Sequence, residues 1–215
     1  MEKIITTTYT TTYETLGELT DKTEQIWLVC HGYGQLAKYF IRRFDVLAAE
    51  TTYVIAPQGL SKFYLHNAYE KVGASWLTKE KREMDLANAL CYLKQLYTCE
   101  IIPHLQTCKQ VPKINLWGFS QGVSMLWRWA VACQIPFDKL INWAGRFPHE
   151  LQREQLAFVK PSAEIVLVIG TQDEFYQQSY VDEETQKIYN VLKMPKVVTF
   201  DGGHELRRDV LMQIL

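Results

Sequence analysis

The sequence predicts an α/β fold: a mostly parallel sheet with helices on both faces and an antiparallel edge at its N-terminal end. Three observations carry that expectation. Apolar runs of strand length alternate with segments of helical period from residue 25 onward, the order that yields parallel strands joined by right-handed crossovers. The runs are nearly continuous in apolar residues, as strands covered on both faces require. One of them leads into Gly118-x-Ser120-x-Gly122 and then a proline-free stretch of helical character. Strand, sharp turn and helix in that order make a nucleophile elbow.

In chain order, residues 3–20 mix Thr, Tyr and Ile with acidic residues, which predicts an exposed edge hairpin. Residues 25–30 are the first core strand, and they end in His31-Gly32-Tyr33-Gly34. Leu36, Phe40, Phe44 and Leu47 then recur at helical spacing. A second core strand, residues 52–56, stops at Pro57-Gln58-Gly59. Residues 60–79 fit no period and are rich in aromatics, so they are expected to form a loop that acts as a lid or binding wall. Met84, Ala87, Leu90, Cys91 and Leu93 predict a helix over 79–96, followed by an irregular connection over 98–109. Beyond the elbow, strands are expected at 140–144, 164–170 and 196–200, and helices at 176–192 and 205–215. With no linker or internal repeat, residues 1–215 read as a single domain.

Composition narrows the function. A net charge of -1 leaves no basic stripe for a phosphate backbone, so nucleic acid is not an expected partner. No apolar run reaches the length of a membrane span, and residues 1–7 lack a signal-peptide core, which points to the cytoplasm. Five cysteines without a C-x-x-C pair fit reduced thiols better than a disulfide frame or a zinc site. No metal and no cofactor are expected.

A serine hydroxyl is a poor nucleophile at neutral pH and needs a base, and the base needs an orienting acid. In open α/β sheets such a site lies beyond the carboxyl ends of the strands. Ser120, Asp173 and His204 each follow a strand there, in the chain order Ser, Asp, His that an elbow-type site uses. His149 is the rival base, and Asp201 and Asp182 are the rival acids. Oxyanion donors are expected from the backbone N–H groups of Gln121, after the nucleophile, and Tyr33, in the loop after the first core strand. His31, beside that loop, is expected to hold it by its ring nitrogens.

The blocks His31-Gly32-Tyr33-Gly34, Ala56-Pro57-Gln58-Gly59, Gly118-Phe119-Ser120-Gln121-Gly122, Gly145-Arg146-Phe147-Pro148, Gly170-Thr171-Gln172-Asp173 and Gly202-Gly203-His204 together resemble the phospholipase/carboxylesterase family of α/β-hydrolases, which includes the acyl-protein thioesterases. The resemblance runs from about residue 25 to the end. It implies cofactor-free hydrolysis of a small-molecule carboxylic ester or thioester through an acyl-serine, with Ser120, Asp173 and His204 catalytic and Tyr33 and Gln121 supplying the oxyanion amides. Residues 60–78 depart from the thioesterases' substrate loop apart from Trp76, and Phe175 after the acid is bulky. A pocket lined by Phe63, Tyr64, Trp76, Trp143 and Phe175 is therefore expected to favour a short or medium apolar acyl group. Peptidases and carbon–carbon bond hydrolases use the same three residues, and the fold can also serve as a ligand-binding module without turnover.

Overall fold

The computed structural model describes residues 1–65, 69–175 and 178–215. Its strands are β1 (Tyr13–Leu16), β2 (Gln25–Cys30), β3 (Thr52–Pro57), β4 (Ser61–Tyr64), β5 (Val72–Ser75), β6 (Lys113–Phe119), β7 (Lys139–Trp143), β8 (Glu164–Gly170) and β9 (Lys196–Phe200). Seven of these make one sheet in the order β1-β3-β2-β6-β7-β8-β9. Only β1 runs antiparallel to its neighbour, and every other pair in that sheet is parallel. The fold is an α/β-hydrolase fold.

Register fixes where chemistry can gather. Cys30 lies opposite Gly118, Phe119 opposite Trp143, Trp143 opposite Val168, and Gly170 opposite Phe200. Leu28 likewise lies opposite Ile55, so the carboxyl ends of six parallel strands finish along one edge, and the loops that leave them share it.

The helices are α1 (Ala37–Phe40), continued by a 3-10 segment over Ile41–Leu47, then α2 (Arg82–Leu96), α3 (Ile102–Thr107), α4 (Gln121–Cys133), α5 (Gln178–Val191) and α6 (Arg208–Ile214). Alternate strand residues feed two cores, as a pleated sheet with both faces covered demands. Ile26, Leu28, Leu116 and Ile165 pack with residues of α2, α4 and α5. Trp27, Val29, Trp117, Trp143 and Val168 pack on the other face with α1, the 3-10 segment and α6.

Several elements differ from expectation, each for a physical reason. The N-terminal edge is the single strand β1 and not a hairpin. Nearly all of residues 1–12 are exposed, so the threonine-rich run has no apolar face to register against a partner strand. Ser61–Tyr64 and Val72–Ser75 are strands, β4 paired antiparallel with β5, where an irregular loop was expected. The pair is pinned to the 31–36 loop by a bridge between Gln35 and Ala74. A bare Cα at Gly73 permits this, because a Cβ there would lie 2.4 Å from the carbonyl oxygen of Gly34.

The stretch expected to be irregular over 98–109 instead prolongs α2 through a π turn, Tyr97–Ile101, into α3. Pro103 stands at the start of α3, and the wider turn absorbs the backbone N–H that proline lacks. His104 is thus helical. The expected beginning of the 176–192 helix falls on Tyr176 and Gln177, which lie outside the described residues, as does His66; α5 is described from Gln178.

Candidate active site

Ser120 follows β6 and precedes α4 with φ +52° and ψ -121°, a conformation that L-residues rarely adopt and that holds the side chain clear of the sheet. Packing leaves the turn no alternative. A Cβ on Gly118 would lie 2.6 Å from the Cα of Val123, and one on Gly122 would lie 2.2 Å from the carbonyl oxygen of Cys30. The first turn of α4 is therefore pressed against the end of β2, where the 31–36 loop begins. The backbone N–H of Ser120 donates to the carbonyl of Trp143 at 2.8 Å, tying the turn to β7.

Three side chains converge here from three strand ends. His204 Nε2 lies 2.9 Å from Ser120 Oγ, and His204 Nδ1 lies 2.8 Å from Asp173 Oδ2. The other carboxylate oxygen of Asp173 accepts the backbone N–H of Phe175 at 2.9 Å. Asp173 has a fully buried side chain, and among the described residues its carboxylate meets these two partners. The imidazole is flanked by two aromatic rings, Phe119 with centroids 5.0 Å apart and Phe175 at 4.9 Å in an edge contact. A hydroxyl joined through an imidazole to a buried carboxylate can pass its proton to the ring as it attacks.

The rivals lie elsewhere. His149 is exposed beside Glu150, Asp201 accepts from the Gln172 side chain and, through its carbonyl, from Arg207, and Asp182 lies on an exposed face of α5.

His31 is buried and grips its loop by both ring nitrogens. Nδ1 lies 2.8 Å from the Gly32 carbonyl and Nε2 accepts the Gly59 N–H at 2.9 Å, which fixes the neutral tautomer with the proton on Nδ1. Burial pushes its pKa down from 6.5 to about 4 against a smaller opposing effect of the Gly32 hydrogen bond. The ring thus ties the end of β2 to the end of β3. Among the described residues, neither the Tyr33 nor the Gln121 backbone N–H has an acceptor. Both belong to the segments that Gly122 brings into contact.

A model of the phospholipase/carboxylesterase family matches residues 12–215. The chain belongs to the phospholipase/carboxylesterase family. It is a hydrolase of the esterase class. Solved structures share the fold. Acyl-protein thioesterase 2 of Zea mays superposes with a TM-score of 0.70 at 11% identity, covering 95% of this chain and 96% of that one. A Bacillus cereus carboxylesterase gives 0.68 at 14% identity, over 94% and 91%, and a phospholipase/carboxylesterase of Dyadobacter fermentans gives 0.64 at 17%, over 97% and 96%. No curated protein matches the sequence.

Of the aromatic residues expected to line this esterase's pocket, two set their rings against the site residues Tyr33 and His204 and three do not. The Phe63 ring stacks against Tyr33 at 4.9 Å, Tyr64 is exposed beside Tyr69, and Phe175 is exposed against His204. Trp76 and Trp143 are buried and offer no surface to a substrate at Ser120. Trp76 follows β5 into the core, where its indole donates to the carbonyl of His31 at 2.8 Å. Trp143 ends β7 on the α6 face, and its indole donates to the carbonyl of Glu205 at 2.9 Å, next to His204. Both are braces of the loops, which is what a large buried donor does when a backbone acceptor lies in reach.

Two contributions went unread in the sequence. The Gln121 side chain accepts the Trp76 N–H at 2.9 Å and donates to the Leu77 carbonyl at 2.7 Å, so the residue after Ser120 also holds the end of the hairpin. Phe119 walls the imidazole. Their signal lay in the elbow motif itself, whose variable positions are the ones that face neighbouring loops. Among the described residues, no group of three or more His, Cys, Asp or Glu side chains is arranged to hold a metal ion, and no helix is long and apolar enough to cross a membrane.

Proposed function

We propose that the protein cleaves carboxylic esters or thioesters through an acyl-serine intermediate, without a cofactor. Ser120 attacks the acyl carbon and His204 takes its proton. Asp173 keeps the imidazole in the tautomer that presents a bare Nε2 to the hydroxyl and stabilises the imidazolium as it forms. The tetrahedral oxyanion is received by the N–H groups of Gln121 and Tyr33, each worth about 3 kcal/mol in the transition state. His204 then returns the proton to the leaving group, and water, activated in the same way, releases the acid. Phe63 and Phe175 form apolar walls at the mouth.

The observation that carries this reading is the unbroken chain of short contacts from Asp173 through His204 to Ser120, with the serine in the strained backbone of an elbow. The test is steady-state hydrolysis of 4-nitrophenyl esters and acyl thioesters. Ser120→Ala is expected to lower kcat by at least ~10³-fold, leaving what binding and the oxyanion amides supply. Activity surviving that substitution refutes the assignment.

A further inference from the structure

Two cavities lie along α1 and share three walls, Tyr39, Arg43 and Leu206. The larger, about 530 Å³, starts at Gly34 and Gln35, directly after Tyr33, and passes between Leu36, Leu65 and Val72. Leu206, its wall on the other side, stands two residues beyond His204. The smaller, about 310 Å³, opens between the 3-10 segment and α6 and is ringed by Arg42, Arg43, Arg207 and Arg208. Together they form a groove with an apolar floor, from Leu36, Phe40, Leu65, Val72 and Leu206 to Trp117 and Leu211, and with cations along its length, Lys38 and Arg43 in the larger part and Arg42, Arg43, Arg207 and Arg208 in the smaller.

The cations along the groove are only partly neutralised. Arg207 is paired with Asp209 and Arg208 with Asp45, but among the described residues Lys38, Arg42 and Arg43 meet no carboxylate. Lys38 and Arg42 instead crowd one aromatic ring, 4.8 and 5.3 Å from the centroid of Tyr39. Glu70 and Lys71, both on the larger cavity, offset one another. On a chain whose net charge is -1, such an excess of cations at a concave surface is a local feature. Concave surfaces of one sign concentrate counter-ions of the other, and guanidinium groups match the two oxygens of a carboxylate or phosphate.

We propose that the substrate carries an anionic group at the end of an apolar arm: the scissile carbonyl sits at Ser120, the arm follows the larger cavity, and the carboxylate or phosphate meets Arg42 and Arg43. This rests on the esterase reading above and narrows its substrate class. A neutral chain of equal length gains the same apolar contacts but leaves the guanidiniums hydrated, so the groove selects for charge. The anion can belong to either side of the scissile bond, to the acyl group or to the alcohol.

Paired substrates separate these cases. On the acyl side, 4-nitrophenyl hydrogen adipate is compared with 4-nitrophenyl hexanoate; on the alcohol side, 6-butyryloxyhexanoate is compared with its primary amide. The wild-type protein is expected to favour the anionic member of one pair by about tenfold or more in kcat/KM, the size of one charge-assisted contact. The pair that shows the preference names the side. Arg43→Gln, at an exposed position, is expected to lower that ratio about tenfold, whereas Lys196→Gln, an equal loss of charge on exposed β9, keeps it. Equal rates within both pairs, or an undiminished ratio in Arg43→Gln, overturns the proposal. If the wild type cleaves none of the four but hydrolyses other esters or thioesters, this proposal alone falls; if it hydrolyses no ester or thioester, the esterase reading fails and takes this one with it.

Discussion

At the scale of single residues, the site is a set of constraints on one proton. The Asp173 carboxylate is buried and accepts from the Phe175 N–H, so the oxygen facing His204 is held in place. Replacing it with an amide inverts the preference of the ring. An Asn side chain able to donate toward Nδ1 moves the imidazole proton to Nε2, where it can no longer accept from Ser120. Asp173→Asn is accordingly expected to lower kcat by about 10⁴-fold with little change in unfolding free energy. Parallel kinetics and urea denaturation check both halves, and a variant that keeps full kcat contradicts the role. These three residues were legible in the sequence because chemistry restricts them: each follows a strand, and their order matches the elbow. The aromatics were not restricted in that way. Trp76 and Trp143 satisfy the same composition argument as Phe63 and Phe175, and only burial separates a loop brace from a pocket wall.

At the scale of elements, the site depends on how the β4–β5 hairpin is held over the 31–36 loop. Strand β5 bridges to Gln35, and the residues just after it are gripped by the side chain of Gln121 at the head of α4. Gln121→Ala leaves the Trp76 N–H and the Leu77 carbonyl without that partner. The expected cost is about 1–3 kcal/mol of stability, together with faster amide exchange at Trp76, measured by hydrogen–deuterium exchange. Unchanged exchange there contradicts the bracing role. The hairpin was hidden from the sequence because its strands are four residues each, too short for alternation to register, and because Gly73 reads as a breaker when its use is close approach. The π turn before α3 was hidden for a similar reason: Pro103 signals a helix end unless a wider turn accommodates it. The long, doubly covered strands β2 and β8 were read residue for residue, since continuous apolar runs have few other uses.

At the scale of the whole molecule, loops from six parallel strands must be locked to one edge while both faces of the sheet are packed. His31 is one lock, and its chemistry makes the lock pH-dependent. Its folded-state pKa, near 4 because burial disfavours the charged ring, lies below the ordinary 6.5. The unfolded chain therefore takes up the proton first as pH falls. The stability that depends on neutral His31 is complete above about pH 6.5, declines as pH falls toward 4, and amounts to at most about 3 kcal/mol across that window. Protonation of Nε2 also removes the acceptor of the Gly59 N–H. Unfolding free energies at pH 7, 6 and 5 are expected to fall for the wild type and to fall less steeply for His31→Gln; identical slopes contradict the assignment.

All of these constraints converge on whether the hydroxyl of Ser120 is activated. Covalent capture by a fluorophosphonate, read by intact mass and peptide mapping, asks this most directly. One phosphonyl group is expected, on the peptide that contains Ser120, with labelling abolished in Ser120→Ala and slowed at least ~10²-fold in His204→Gln. An unlabelled protein, a label on another residue, or labelling indifferent to His204 would contradict the account.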